Sequence, residues 1–351
     1  MTTFLRKTDL VALAVVIGLL LLLPFVLDDF RLNLVGKYLA FAFVAIGIVI
    51  TWGYGGILSL GQGIFFGLGG YMMAMFLKLE ASAPDLPDFM VWSSVDKLPI
   101  WWEPFHSLAA TIVLILVLPA VLAYGLSYAV FKRRISGVYF AIITLCLATT
   151  LTVLIIGQQG DTGGANGITD FRTLLGMDIV GDAARRVLYM VEAASVAVLM
   201  VLAISLLRSR FGKVLIAIRD SEDRVRFSGY NTAHFKAFVF MLAGILSAIG
   251  GAFYTLQVGL ISPSVVGVVT SVEMVIFAAV GGRLSVPGAV VGALLVGFLK
   301  SWLSEAFPEI WLYFLGAIFI VVVMFMPNGL AGLFEGRGRT ASNVGNAKEV
   351  R

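Results

Sequence analysis

From Tyr38 to Leu77 the chain carries no charged residue, and Lys37 and Lys78 close the run at its two ends. The run is 40 residues long. One helix crosses a hydrocarbon core in about 20 residues, so the run is long enough for two crossings with a turn between them. That turn falls in the glycine-rich stretch Gly53–Gly63, which holds Gly53, Gly55, Gly56, Gly61 and Gly63. Glycine permits irregular backbone. At membrane depth such backbone is tolerated only where protein covers it or where it lines a water-filled cavity.

The rest of the chain follows the same pattern. Of 351 residues, 60% are hydrophobic and 13% charged, against roughly 45–50% and 25% in a soluble domain. This excludes a disordered chain, a collagen-like fibre, a disulfide scaffold and an ordinary soluble enzyme. Glycine is abundant at 38 residues, and small residues let helices approach closely in lipid. Further apolar runs cover Leu10–Leu27, Leu108–Phe131, Gly137–Ile156, Val187–Leu207, Ala237–Gln257, a short one near Thr270–Val280, Pro287–Ser304 and Ile310–Met326. The first is long for a signal-peptide core and lacks a small-residue cleavage site, so it is expected to remain as a span. The fold class expected is an all-α polytopic membrane protein of about ten helices with Gly-rich broken or re-entrant segments. Residues 1–334 are expected to form the transmembrane domain and 335–351 a flexible tail.

Charge placement orients the chain. If the N-terminus is cytoplasmic and the spans alternate, 17 of the 25 Lys and Arg residues fall inside, as the positive-inside rule requires. Both termini, Lys132–Arg134 and the loop 208–236 are then cytoplasmic. The Trp- and Pro-rich loop 78–107 and the loop 157–186 face outward. The net charge of +4 is too mild to suggest nucleic acid. The lone Cys146 permits no internal disulfide and reads as an inert core thiol.

Catalytic chemistry is missing. The Gly-Lys pairs at 36–37 and 212–213 are not followed by Ser or Thr, so the chain has no phosphate-binding loop of its own. Leu58-Ser59-Leu60-Gly61-Gln62 imitates an ATPase signature but sits between spans. His106 and His234 fall on opposite sides of the membrane and cannot share a metal. No catalytic residue, metal or cofactor is expected.

The segment 208–236 (RSRFGKVLIAIRDSEDRVRFSGYNTAHFK) is the one sizeable inside loop. Apolar positions among charges over Val214–Phe227 suit an amphipathic surface helix, with Gly229 and Asn231 as stop signals. Either it is a solvated connector, or it docks a partner.

This loop, followed by AFVFMLAGILSAIGGAFY (237–254), resembles the coupling region of branched-chain-amino-acid-type ABC importer permeases. The matching residues are Ala217-Ile218-Arg219-Asp220-Ser221-Glu222, Gly229, Asn231, Lys236 and Gly250–Tyr254. The segments Gly53–Tyr71, Val272–Leu295 and Met326–Leu333 agree with it. The wording WGYGGILSLGQGIFFGLGGYMMAM and TGGANGITDFRTLLG is most similar to the second permease of urea importers. Phe227-Ser228 departs from the small or aliphatic residues common there. The resemblance implies a bacterial inner-membrane subunit paired with a sister permease as a heterodimer. Two ATPase subunits would dock inside, at Arg219, Asp220, Glu222, Arg224 and Gly229, and a soluble binding protein would deliver substrate from outside.

The candidate substrate path comprises Ser59, Gln62 and Phe65 on the glycine-rich segment, Tyr254 and Gln257 at the end of the following span, and Glu273. Glu273 is read as the only acid well inside a span, and an ionisable group there is either functional or satisfied by a neighbouring helix. Phe65 and Phe66 either constrict the path or simply pack. Urea, with four N–H donors and one carbonyl, needs acceptors and narrow aromatic walls, which Gln62 and Phe65 offer. The expected function is therefore urea import. The alternatives are branched-chain amino acid import or, from another class, a stand-alone channel or secondary transporter. Such a transporter would show several buried charges or inverted repeats; the chain offers one acid and a five-residue echo between Gly55–Ser59 and Gly281–Ser285. A membrane enzyme comes third.

Overall fold

The computed structural model describes residues 7–135, 137–171, 173–179, 181–325 and 329–335. Helix α1 (Lys7–Val26) occupies the first apolar run, and α2 (Asp29–Ile48) continues into a π-helical turn, Val49–Tyr54. After an irregular stretch, α3 (Gln62–Ser82) crosses back. A short α4 (Asp88–Trp92) precedes α5 (Leu108–Lys132) and α6 (Val138–Gly157). The single turn α7 (Gln159–Thr162) and the hairpin β1 (Thr173–Leu174) with β2 (Met177–Asp178) follow. Then come α8 (Asp182–Arg208), α9 (Arg210–Phe227), α10 (Thr232–Val258), α11 (Val268–Gly281), α12 (Val286–Ala306), α13 (Trp311–Phe325) and α14 (Gly329–Glu335). Among the described residues, seven helices are long and apolar enough to cross a membrane and three more are shorter and apolar. These fall on the runs read from the sequence. Residues 336–351 of the expected tail, and Arg172 of the outer loop, lie outside the described residues.

Helices extend past the charge-free runs. The span that should begin at Tyr38 begins at Asp29, so Lys37 is a half-buried helical residue and not part of an outer connection. Lys78 is buried inside α3 and pairs with Asp88 at 2.9 Å. A lysine stem can lie along apolar surface while its ammonium finds a partner, so a lysine need not end a span.

The centre of the fold is the packing of α10 against α2, α3 and α5. Glycine makes the α3–α10 crossing possible. A Cβ on Gly69 would run into the backbone of Ala248, and one on Gly251 into the carbonyl of Phe66. Phe41 stacks on Phe66 at 5.0 Å between centroids, and Tyr254 meets both rings edge-on at 5.6 and 5.5 Å. One correction concerns Cys146, which is exposed on α6. The buried stripe of that helix is Phe140, Ala141, Thr144, Ala148 and Ile155, and Cys146 falls on the opposite face.

The two ends of the bundle are distinct. At one, Trp102 Nε1 donates to the Asp161 carbonyl at 2.9 Å, and Ile168 and Ile261 exchange backbone hydrogen bonds. Glu80 accepts from the backbone N–H groups of Leu175 and Gly176 at 3.0 and 2.6 Å. At the other, Lys132 and Arg134 share a cavity with Arg226, Tyr230 and Asn231. Loops 78–107 and 157–186 thus meet at one end, and Lys132–Arg134 meets the segment 208–236 at the other. The imidazole of His234 lies 4.6 Å from the Tyr128 ring, near the end of α5, whereas His106 precedes the start of that helix.

Replacing Gly69 by valine should force α3 from α10, because the obstacle is backbone and cannot rotate away. We expect destabilisation at or above the ~1–3 kcal/mol typical of overpacking, read as a lower melting temperature of the solubilised protein. Gly125→Val, where nothing lies within 4 Å of an added Cβ, should melt close to the parent.

Candidate functional site

The glycine-rich stretch is a break in a span. The π turn hands over its carbonyls out of register: Gly55 N–H donates to Ile50 O at 3.1 Å, Gly56 to Trp52 at 3.2 Å and Ile57 to Thr51 at 2.9 Å. Gly56 takes φ +66°, a conformation costly for residues with a Cβ. The chain then runs non-helically to Gly61, and neighbouring helices supply what the break leaves unbonded. Leu60 N–H donates to Thr144 Oγ1 at 3.2 Å, and Gly63 N–H to Ser271 Oγ at 3.2 Å. The ATPase-like string 58–62 is this break.

The six path candidates are all buried, and their hydrogen-bond and ring partners differ. Ser59 Oγ accepts from Gly61 N–H at 3.3 Å. Gln62, the first residue of α3, accepts from Ser247 Oγ at 3.0 Å, while its Nε2 finds no partner among the described residues. Phe65 packs edge-on against Phe240 at 5.6 Å in a cluster with Phe131 and Phe140. Tyr254 belongs to the Phe41–Phe66 aromatic group. Gln257 donates to Glu192 Oε2 at 2.8 Å. Glu273 is held by Lys300, whose ammonium donates to both carboxylate oxygens at 2.9 and 2.7 Å and lies 5.1 Å from the Trp311 ring. A cavity of about 370 Å³ lies at the Lys132–Arg134 end and is lined by none of the six.

Glu273 is therefore not the only acid inside a span. Glu192 is fully buried in α8, one oxygen bonded to Gln257 and the other without a partner among the described residues. The signal was present in the sequence. Tyr189, Glu192, Ala193, Val196, Met200, Ala203 and Leu207 follow helical spacing, and all are buried. Lys300, the partner of Glu273, sits 27 residues away on α12 and carried no local signal.

The segment 208–236 is helical over α9, as its periodicity predicts. Ser209 caps α9 by accepting from Phe211 N–H at 3.2 Å. The helix kinks at Ser221 (φ −159°, ψ 82°). It ends before Gly229, which has φ +87°, and Asn231 caps α10 through His234 N–H. Leu215 and Ile218 face inward, while Lys213, Ala217, Asp220, Arg224 and Phe227 are exposed. The five coupling candidates thus divide. Asp220, Arg224 and Gly229 are open to a partner, and Arg219 is exposed as well while bonded inward. Glu222 is committed to Lys236 and accepts from Thr232 and Arg226 at 3.0 Å each. Arg219 Nη1 donates to the Gly53 carbonyl at 2.6 Å, and its Nε to Asp220 at 2.9 Å.

The family described as "Branched-chain amino acid transport system / permease component" matches residues 30–323. The chain belongs to this family. The high-affinity branched-chain amino acid transport system permease protein LivM of Escherichia coli K12 is 22% identical over 94% of this chain and 76% of its own. BraD, a permease protein of the same system description from Pseudomonas aeruginosa, is 27% identical over 36% of this chain and 41% of its own. The xylose transport system permease protein XylH of E. coli K12 is 32% identical over 33% of this chain and 31% of its own. No solved structure matches. The permease is thus a multi-pass inner-membrane subunit of an ABC importer, a transport component and not an enzyme, and membership implies ATPase and binding-protein partners. The closeness to urea permeases expected from the sequence is not supported by these relatives.

Two outcomes follow from the site's charges. Burial pushes the Glu222 carboxyl up, but the Lys236 ammonium, Thr232 and Arg226 outweigh it and hold it below its ordinary 4.5. A depressed carboxyl stabilises the folded state above the ordinary value, and that contribution is lost as pH falls through the lowered one. Protection of the backbone amides across the α9–α10 corner, referred to the intrinsic exchange rate at each pH, should be high at neutral pH and fall below about 4.5. Glu222→Gln should exchange faster at neutral pH and lose most of this pH response. Separately, Lys300→Ala strands the Glu273 carboxylate. Breaking a buried pair costs roughly 3–5 kcal/mol, and Lys300, a third exposed, should fall at the lower end. Adding Glu273→Gln to Lys300→Ala should recover part of the lost melting temperature.

Proposed function

We propose that the permease imports branched-chain amino acids. The observation that carries this is the LivM match, which runs along 94% of the chain. The full importer would comprise a sister permease, two ATPase subunits and a soluble external binding protein. In this arrangement both termini and α9 are cytoplasmic, and the loops joined by Trp102 and Asp161 face outward. Asp220, Arg224 and Gly229 meet an ATPase on the open face of α9.

Gln62 is fully buried, with its oxygen accepting from Ser247, and it bears on the path through packing. Glu273 acts structurally, with both oxygens occupied by Lys300. Ser59, Phe65, Tyr254 and Gln257 support the helices around the path and bear on it through packing.

Uptake of labelled leucine and labelled urea in a strain lacking this permease tests the proposal. Leucine uptake should fall and return on complementation, with urea uptake unchanged. Loss of urea uptake with leucine uptake intact would overturn it.

A further inference from the structure

Arg219 lies on the helix that should meet an ATPase, yet its guanidinium turns toward the membrane domain. The π turn accounts for its target. Ile50, Thr51 and Trp52 carbonyls accept from Gly55, Ile57 and Gly56 N–H groups. The next carbonyl, that of Gly53, accepts from Arg219 at 2.6 Å. A charged side chain from outside the span thus completes the hydrogen bonding of a break within it, where an unmet carbonyl is costly.

The fit around this bond is close. A Cβ on Gly56 would sit 2.8 Å from Arg219 Cγ. A Cβ on Gly53 would strike the Arg283 carbonyl. Arg283 itself lies over the Trp52 ring at 5.7 Å, and Tyr54 OH donates to Leu284 O at 3.1 Å. Leu215, also on α9, lies 3.4 Å from the position a Gly55 Cβ would take. The broken segment is therefore gripped by α9 on one side and by the turn before α12 on the other.

We propose that Arg219 is a positioning residue that ties movement of α9 to the broken segment Gly53–Gly61 through its bond to the Gly53 carbonyl, separately from the residues that dock the ATPase. Next to Arg219 in sequence, Asp220 faces outward and also accepts from Arg219 Nε. A partner that engages Asp220 would shift the guanidinium, and with it the carbonyl at the break. The segment leads into Ser59 and Gln62 and then α3, so displacement at Gly53 reaches the middle of the bundle. The proposal rests on α9 being the ATPase-docking helix.

The test uses the assembled importer in nanodiscs, with Cys146→Ser and a reporter cysteine at half-buried Leu58. Maleimide labelling rates are compared without nucleotide and with ATP, and copurification of the ATPases is measured for every variant. In the parent, ATP should change the Leu58 labelling rate. In Arg219→Ala that change should shrink roughly tenfold, the scale of one charge-assisted hydrogen bond, with ATPase copurification maintained. Gly56→Ala, which crowds Arg219 from the other side, should show the same loss, and Arg219→Lys an intermediate one. If Gly56→Ala does not fold, the Arg219 pair alone decides. Three results overturn the proposal: an undiminished ATP response in Arg219→Ala, no ATP response in the parent, or loss of ATPase copurification in Arg219→Ala. Failure of the docking assignment registers separately, as ATPase copurification undiminished by the charge reversals Asp220→Arg and Arg224→Glu.

Discussion

Lipid offers no hydrogen bonds to a polypeptide, so every backbone group at membrane depth must find its partner within the protein. Most of this chain meets the constraint with uninterrupted helix. Between Val49 and Gly61 it does not, and much of the central architecture follows from that lapse. Thr144 on α6, Ser271 on α11 and Arg219 on α9 each bond to this stretch or its flank. Three helices distant in sequence are thereby drawn to one locus. The glycines there serve the same end, since each removes a side chain where another backbone or guanidinium must come close.

Buried charge obeys the same accounting. Lys78, Glu273 and Lys236 each meet an opposite charge, and Glu192 meets Gln257. The partners lie 10, 27, 14 and 65 residues away, so these contacts also fix which helices are neighbours. A pairing of this kind adds less to stability than to uniqueness of packing, because breaking it leaves a stranded charge while making it only offsets desolvation.

The spans, the break and the amphipathic inside helix were legible in the sequence because each follows from a local rule: charge-free length, glycine density, helical spacing. Gly229 and Asn231 were legible for the same reason, as a positive-φ stop and a helix cap. What stayed hidden depends on the facing of helices. Cys146 and Thr144 stand two apart in one apolar run, and only the packing of α6 shows that one is exposed and the other buried. Lys37 and Lys78 looked like boundaries because their charges end the apolar run, yet helix and partner carry both inside. Glu192 escaped because a single acid barely dents the hydropathy of a 27-residue helix. The path candidates share plausible depth and chemistry, and the fold gives each its own partners, which helix facing alone decides.

At the end that holds Trp102, backbone pairing of Ile168 with Ile261 and the hairpin turn on Glu80 stand beside side-chain bonds, Trp102 to the Asp161 carbonyl and Arg186 to Asp29. At the α9 end, long side chains reach single carbonyls, Arg219 to Gly53 and Tyr54 to Leu284. A backbone ladder cannot slide without losing several bonds together, whereas a guanidinium on a flexible stem can follow a carbonyl or exchange it for a carboxylate such as Asp220. If α9 docks the ATPase as proposed, the adjustable Arg219 contact lies next to the helix that receives the force.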